Sequence, residues 1–185
     1  MNPDGARTLL AEAAIVILAA PILGVAIRPS RRLAAAIVVL VIVGAGAIVS
    51  RGPTLEAVAL SQATLLAAAC ALAALGRLCR TAFRDSLDAA ACSLVIALAL
   101  TMGPLVAGPS AGNLPTPLLN AMLTVNPVAA TASAAGIDLF RSEPLYRLSP
   151  IAHVRFAYAP WPMPVAVFGL VAIIATLRHP SEELS

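Results

Sequence analysis

The sequence predicts an all-α integral membrane protein of about five transmembrane helices, with a re-entrant or interfacial helical segment before the last. Two observations carry this. Of the 185 residues, 60% are hydrophobic and only 11% charged, whereas a soluble domain carries about 25% charge. The apolar residues also gather into long runs punctuated by arginine clusters. A soluble fold of this size would have to leave much of that surface in water, so lipid is the better solvent.

A hydrocarbon core needs about 20 apolar residues per helix. The chain reads as one transmembrane domain, 1–185, with spans near 9–27, 33–49, 57–75, 89–107 and 163–177. The first contains Glu12 near its start and Pro21 in its middle. Asp4 and Glu12 flank or enter it, no clear small-x-small cleavage site closes it, and Arg28, Arg31 and Arg32 follow. It therefore reads as a retained anchor rather than a signal peptide. Glu12 is either an ion or proton ligand, as intramembrane carboxylates often are, or a residue near enough to the helix start to reach the interface. The second is the expectation. The second span is β-branched and holds Gly44 and Gly46. The third is alanine-rich, with Ala67, Ala71 and Ala74 spaced to let helices approach closely.

Arginine gives the bundle a direction. One short loop carries Arg28, Arg31 and Arg32, and another carries Arg77, Arg80 and Arg84 beside Asp85 and Asp88. Two crossings separate them, so they share a side, and the positive-inside rule makes that side cytoplasmic. Five spans then place the N-terminus outside and the C-terminus, with Arg178 and His179, inside. Arg77, Arg80 and Arg84 share one face if the loop is helical, which suits either a solvated hairpin or a docking surface.

Residues 108–162 form the irregular part, expected to be external. Within it, residues 118–135 predict one or two short helices broken at Pro127, and Asn120, Thr124 and Asn126 suit a lipid-facing span poorly. Two half-helices covered by protein fit better; a sixth full span is the competitor. Asp138 to Tyr158 reads as external surface. Phe156, Tyr158 and Trp161 form an aromatic belt before the last helix, and Pro160, Pro162 and Pro164 stiffen its entry.

Several chemistries are excluded or unsupported. All 12 basic residues are arginine, so the chain has no lysine for a Walker A loop or a Schiff base. The basic residues form no block long enough for nucleic acid. Cys70, Cys79 and Cys92 include no CxxC pair and read as free thiols, Cys70 and Cys92 in apolar runs and Cys79 in the arginine loop. His153 and His179 fall at opposite ends of the last helix and suggest no metal site. No G-x-S-x-G elbow marks a nucleophile. No catalytic, cofactor or metal residues are therefore expected.

The order of features resembles the C-terminal half of ABC-2-type permeases, the membrane subunits of ATP-driven exporters. Residues 78–90, with Ala82-Phe83-Arg84 and Ala89-Ala90, are similar to that family's cytoplasmic small-x-x-Phe-Arg-x-x-x-x-Ala stretch. Leu114-Pro115 and Leu123-Thr124-Val125-Asn126-Pro127 resemble its external re-entrant segment, and residues 160–177 its last helix. The resemblance covers roughly residues 57–178. It departs from the family in offering five spans rather than six, and only residues 28–32 where the family has its coupling loop. It implies a permease-like subunit without catalytic residues, forming a translocation path as a homo- or hetero-dimer. A separate cytoplasmic ATP-binding subunit would face Arg28, Arg31, Arg32, Arg77, Arg80 and Arg84. Leu114, Pro115, Asn126 and Pro127 would form the outer gate. The residues alone also admit a non-transporting accessory or scaffold subunit, or a lipid-acting enzyme using His153, Asp138 and Glu143.

Overall fold

The computed structural model describes residues 3–27, 30–49, 54–106, 113–140 and 156–177; of Pro3, Ser30, Arg31 and Leu33 only the backbone is described. Among these residues the secondary structure is helical throughout: α1 Pro3–Ala26, α2 Ser30–Val49, α3 Leu55–Ala82, α4 Ser86–Val106, α5 Thr116–Val125, α6 Pro127–Ala134 and α7 Pro162–Leu177. Three segments, Asp4–Ala26, Leu55–Ala82 and Ser86–Val106, are long and apolar enough to cross a membrane. Ala34–Val49 and Pro162–Leu177 are shorter apolar helices. The chain is thus compatible with a helical membrane protein.

Many large aliphatic side chains face outward. Ile15 and Ile22 on α1, Val39, Ile42 and Val43 on α2, Leu87 and Val95 on α4, and Leu170 and Ile173 on α7 are all exposed. The interior mixes large residues such as Leu9, Ile17, Leu65 and Leu123 with small ones, the latter most densely on α3, where Ala68, Ala69, Ala71, Ala73, Ala74 and Gly76 are buried. This distribution suits an apolar surrounding, because an exterior of Val, Ile and Leu costs nothing against lipid tails while small residues let backbones meet.

Helix α3 is the hub, packing against α1, α2, α4, α6 and α7. Its closest partner is α1, and the contact there is backbone on backbone. A Cβ placed on Gly24 would run into the carbonyl of Ala73, and one on Gly76 into the carbonyl of Pro21. Each helix therefore contributes one glycine to the other's carbonyl. Such approach brings Cα–H groups against carbonyl oxygens, a weak but recurring attraction. Only glycine permits it.

The arginine-bearing hairpin differs from the expected loop. Helix α3 continues through Arg77 and Arg80 to Ala82, and α4 opens at Ser86, so three residues make the turn. Arginine is a good helix former, and nothing in residues 76–82 interrupts the helix. Phe83 is extended and stops α3. The Arg80 guanidinium donates to the carbonyls of Phe83 and Arg84 at 3.4 and 3.2 Å, bracing the turn that follows the helix. The Asp85 carboxylate accepts from the Leu87 N–H at 2.9 Å, capping α4. Arg84 thus lies beyond the helix rather than on one face with Arg77 and Arg80.

The cysteines also differ from expectation. Cys79 is buried inside α3, and its thiol lies 3.8 Å from that of Cys92 on α4. Cys70 is exposed rather than packed.

Gly24→Ala or Gly76→Ala should lower stability by about 1–3 kcal/mol through overpacking, while Gly46→Ala, whose new methyl would meet nothing, should not. Thermal unfolding of the three variants in detergent checks this. Mild oxidation should join Cys79 to Cys92 and leave Cys70 free for alkylation, as read by peptide mass.

Candidate functional site: a broken helix and a buried carboxylate

Val25 at the end of α1, Cys79 at the end of α3 and Ala89 at the start of α4 form one cluster. They define a hairpin end of the bundle. Leu9 of α1, Ile48 of α2 and Val58 of α3 cluster at the opposite, far end. Helices α5 and α6 sit between these helices on the far side, and their packing shows the path they take. Leu123 clusters with neighbours that include Leu10 and Leu105 near the far end. Three residues later, Asn126 reaches Thr101, a turn deeper along α4. Val128 then packs on the central cluster that contains Ile17 and Ala69. Ala135 returns to Leu9, Ile48 and Val58. The chain therefore dips into the bundle and comes back out at the end it entered.

Asn126 makes the reversal. It is 1% exposed, with extended backbone (φ −78°, ψ 113°) between two helices. Its Oδ1 accepts from the Ala129 N–H at 2.9 Å and caps α6. Its Nδ2 donates to the Thr101 carbonyl at 2.7 Å. Pro104 on α4 has no N–H for the carbonyl one turn back and disturbs the helix there, next to the carbonyl that Asn126 takes. Pro127 occupies the first helical position of α6, where a missing N–H is harmless and the fixed φ suits the helix. At its other end α6 closes on Gly136 at φ +73°, with Ile137 N–H donating to Ala132 and Gly136 N–H to Ser133, each at 2.9 Å. These are the paired bonds of a Schellman closure.

A second amide fixes the approach to α7. The Asn120 Oδ1 accepts from the Ala157 N–H at 2.9 Å. Phe140, Phe156 and Tyr158 form a chain of edge-on rings, with centroids 6.2 and 5.4 Å apart. The Tyr158 hydroxyl donates to Asp138 at 3.0 Å. Burial pushes the phenol's pKa up, and the Asp138 charge adds to that. Helix α7 thus starts at the far end, and Phe168 reaches Ala68, Ala71 and Ala130 at mid-bundle.

The expected gate residues are not one cluster. Leu114 and Pro115 precede α5, while Asn126 and Pro127 lie beyond its last residue, about 15 Å of helix away. The first pair marks the entry and the second the turning point. Of the arginines, Arg28 lies outside the described residues, and so does the side chain of Arg31. Arg32 is exposed near the start of α2, Arg77 and Arg80 are half-buried and Arg84 is exposed. Arg32, Arg77, Arg80 and Arg84 gather at the hairpin end, while Arg7 stands near the start of α1, at the far end. His153 and Glu143 lie outside the described residues.

Glu12 is buried among helices. Helix α1 begins at Pro3, which puts Glu12 in its third turn, and the side chain is 8% exposed. Gln62 Nε2 on α3 donates to Glu12 Oε2 at 2.8 Å. The carboxyl rests directly on Gly44 of α2, where any Cβ would overlap it. Gln62 was the partner missed in the sequence, although it is the one carboxamide in α3. Buried hydroxyls behave differently. Ser61, Thr64, Thr124 and Thr131 each donate to a carbonyl of their own helix, a local solution that needs no neighbour.

Asn126→Ala should cost about 1–2 kcal/mol, the usual scale of a lost N-cap, plus the released Thr101 carbonyl. Asn126→Asp keeps the cap acceptor but sets a buried carboxylate against the Thr101 carbonyl, so at neutral pH it should cost more than alanine. Unfolding in detergent across the three proteins gives the ranking.

No family model, curated protein or solved structure matches the chain.

Proposed function

We propose that the chain is a multi-pass, permease-like subunit of an ATP-driven, ABC-2-type exporter in the cell membrane. It has five spans, a cytoplasmic hairpin end and a re-entrant pair reaching in from outside. The single observation that carries this is the dip formed by α5 and α6 between α4 and α7. That order matches the external re-entrant segment of the family the sequence resembles, down to the Leu-Pro entry and the Asn-Pro break. Non-helical backbone at membrane depth is tolerated only where protein or a water-filled cavity covers it. Asn126 meets that condition, being buried and doubly bonded.

In this reading the short helices α2 and α7 also cross. Helix α2 has 20 residues in all, about 30 Å, and matches the hydrocarbon thickness. Helix α7 has 16, about 24 Å. The arginine end is cytoplasmic by the positive-inside rule, which gives an outside N-terminus and an inside C-terminus. A separate ATP-binding subunit docks there, facing Arg28, Arg31, Arg32, Arg77 and Arg84. Arg80 is occupied in closing the α3–α4 turn and contributes shape more than free charge. ATP binding would shift the packing of two such subunits and open a route between them, with the α5–α6 pair as outer gate.

Affinity purification of the tagged full chain in mild detergent should recover an ATPase with Walker motifs. Arg32→Glu with Arg84→Glu should lose that ATPase while the bundle's thermal stability stays within about 0.5 kcal/mol, as expected for exposed sites. Recovery of stable partners without any ATPase would instead support an accessory or scaffold subunit.

A further inference from the structure

The Glu12–Gln62 pair leaves two oxygens without partners. Glu12 Oε1 and Gln62 Oε1 are both buried and accept no hydrogen bond among the described residues. Both are acceptors, so they cannot satisfy one another while Glu12 is ionised. An ionised Glu12 would hold a buried charge on a single neutral donor, and an uncompensated buried charge is costly.

Among the described residues no cation is positioned to balance it. On α1, Arg7 is exposed and pairs with Asp4 at 3.7 Å. On α2, Arg31 and Arg32 stand in the first turn, at the hairpin end, whereas Gly44 lies toward the other. On α3 the nearest charge is Glu56, six residues before Gln62 and exposed, while Arg77 and Arg80 are at the opposite end. Helix α6 carries no charged residue. Asp138, beyond it, is bonded to Tyr158. Nor is this a metal site: a hard divalent cation takes six or more oxygens, and no group of three His, Cys, Asp or Glu exists among the described residues.

One proton resolves both vacancies. A hydrogen on Glu12 Oε1 can be donated to Gln62 Oε1, while Gln62 Nε2 continues to donate to Glu12 Oε2. Acid and amide then close a ring of two hydrogen bonds, neutral overall, and each orphan oxygen gains a partner. The proton comes from water and no other bond changes. We propose that Glu12 and Gln62 form a proton-binding site between α1 and α3, and that the bound proton keeps α2 seated on them through Gly44. Releasing the proton sets a bare charge against the α2 backbone at a place with no room for a side chain. Helix α2 must then move away, or the carboxylate must swing out. The site depends on no transport activity and stands apart from the reading above.

Infrared spectroscopy of the full chain in lipid nanodiscs, labelled with carbon-13 glutamate, tests this. At neutral pH the labelled protein should show a protonated carboxylic acid C=O band that shifts in heavy water, and Glu12→Gln should abolish it. Carboxylate bands alone at neutral pH, as for an ionised Glu12 bridged by water, would overturn the proposal. So would an acid band that survives Glu12→Gln. Should that variant fail to fold, Gln62→Met removes both ring partners, and an acid band unmoved by it is equally fatal. Glu12→Gln can form the same ring as an amide pair, so it should fold and lose pH sensitivity. In the wild type, the folded chain holds a proton that the unfolded chain releases at neutral pH. Its folded-to-unfolded ratio should therefore fall as pH rises, by up to about tenfold per unit while the folded chain keeps the proton and the unfolded chain does not, and level off once the folded chain releases it.

Discussion

The contact between α1 and α3 is the constraint on which the rest depends. Gly24 lies on the carbonyl of Ala73, and Gly76 on that of Pro21. With no side chain between them at these points, the two helices hold a fixed, short separation. That separation makes the remaining distances possible. It brings Glu12 within reach of Gln62, leaves α2 to rest its Gly44 on the carboxyl, and lets α6 pack against both helices. In an apolar surrounding, with which this chain is compatible, helices have little hydrophobic reason to associate, and close approach and a few interhelical hydrogen bonds take over. The chain uses both.

Polar groups in the bundle fall into two kinds. Serine and threonine hydroxyls bond to their own helix and ask nothing of their neighbours. Asn120, Asn126, Glu12 and Gln62 reach to other segments. The asparagines are satisfied on the atoms that matter for shape, one holding the reversal at α6 and one the approach to α7. The Glu12–Gln62 pair is short of one donor. This difference separates a polar group that builds the fold from one with capacity left for chemistry.

Much of the fold was legible in the sequence, and the reasons can be traced. The apolar runs gave five of the seven helices within a few residues, apart from the start of α1 and the end of α3. Helix ends carrying Asp4 or Arg77 and Arg80 are polar, so hydropathy truncates what hydrogen bonding continues. The break at Asn126-Pro127 was legible because a capping residue and a first-turn proline act locally. Contacts made across helices were not. Nothing in the local pattern distinguishes Gly24 and Gly76, which meet only in three dimensions, from Gly46 and Gly103, which meet nothing. The burial of Glu12 was not legible because its helix was expected to start at residue 9 rather than Pro3, and Gln62 was hidden in an alanine-rich run. The three-residue hairpin was obscured by arginines that suggest a loop by charge yet favour helix by propensity.

The central structural claim is that α5 and α6 enter and leave the bundle at one end. The direct measurement is cysteine accessibility in intact membrane vesicles, using a chain whose native cysteines are replaced and single cysteines placed at Asn113, Gly136 and Arg84. The account predicts that an impermeant thiol reagent labels positions 113 and 136 from the same side and position 84 only from the other. Labelling of 113 and 136 from opposite sides would contradict it, turning the broken pair into a full crossing and reversing the last helix.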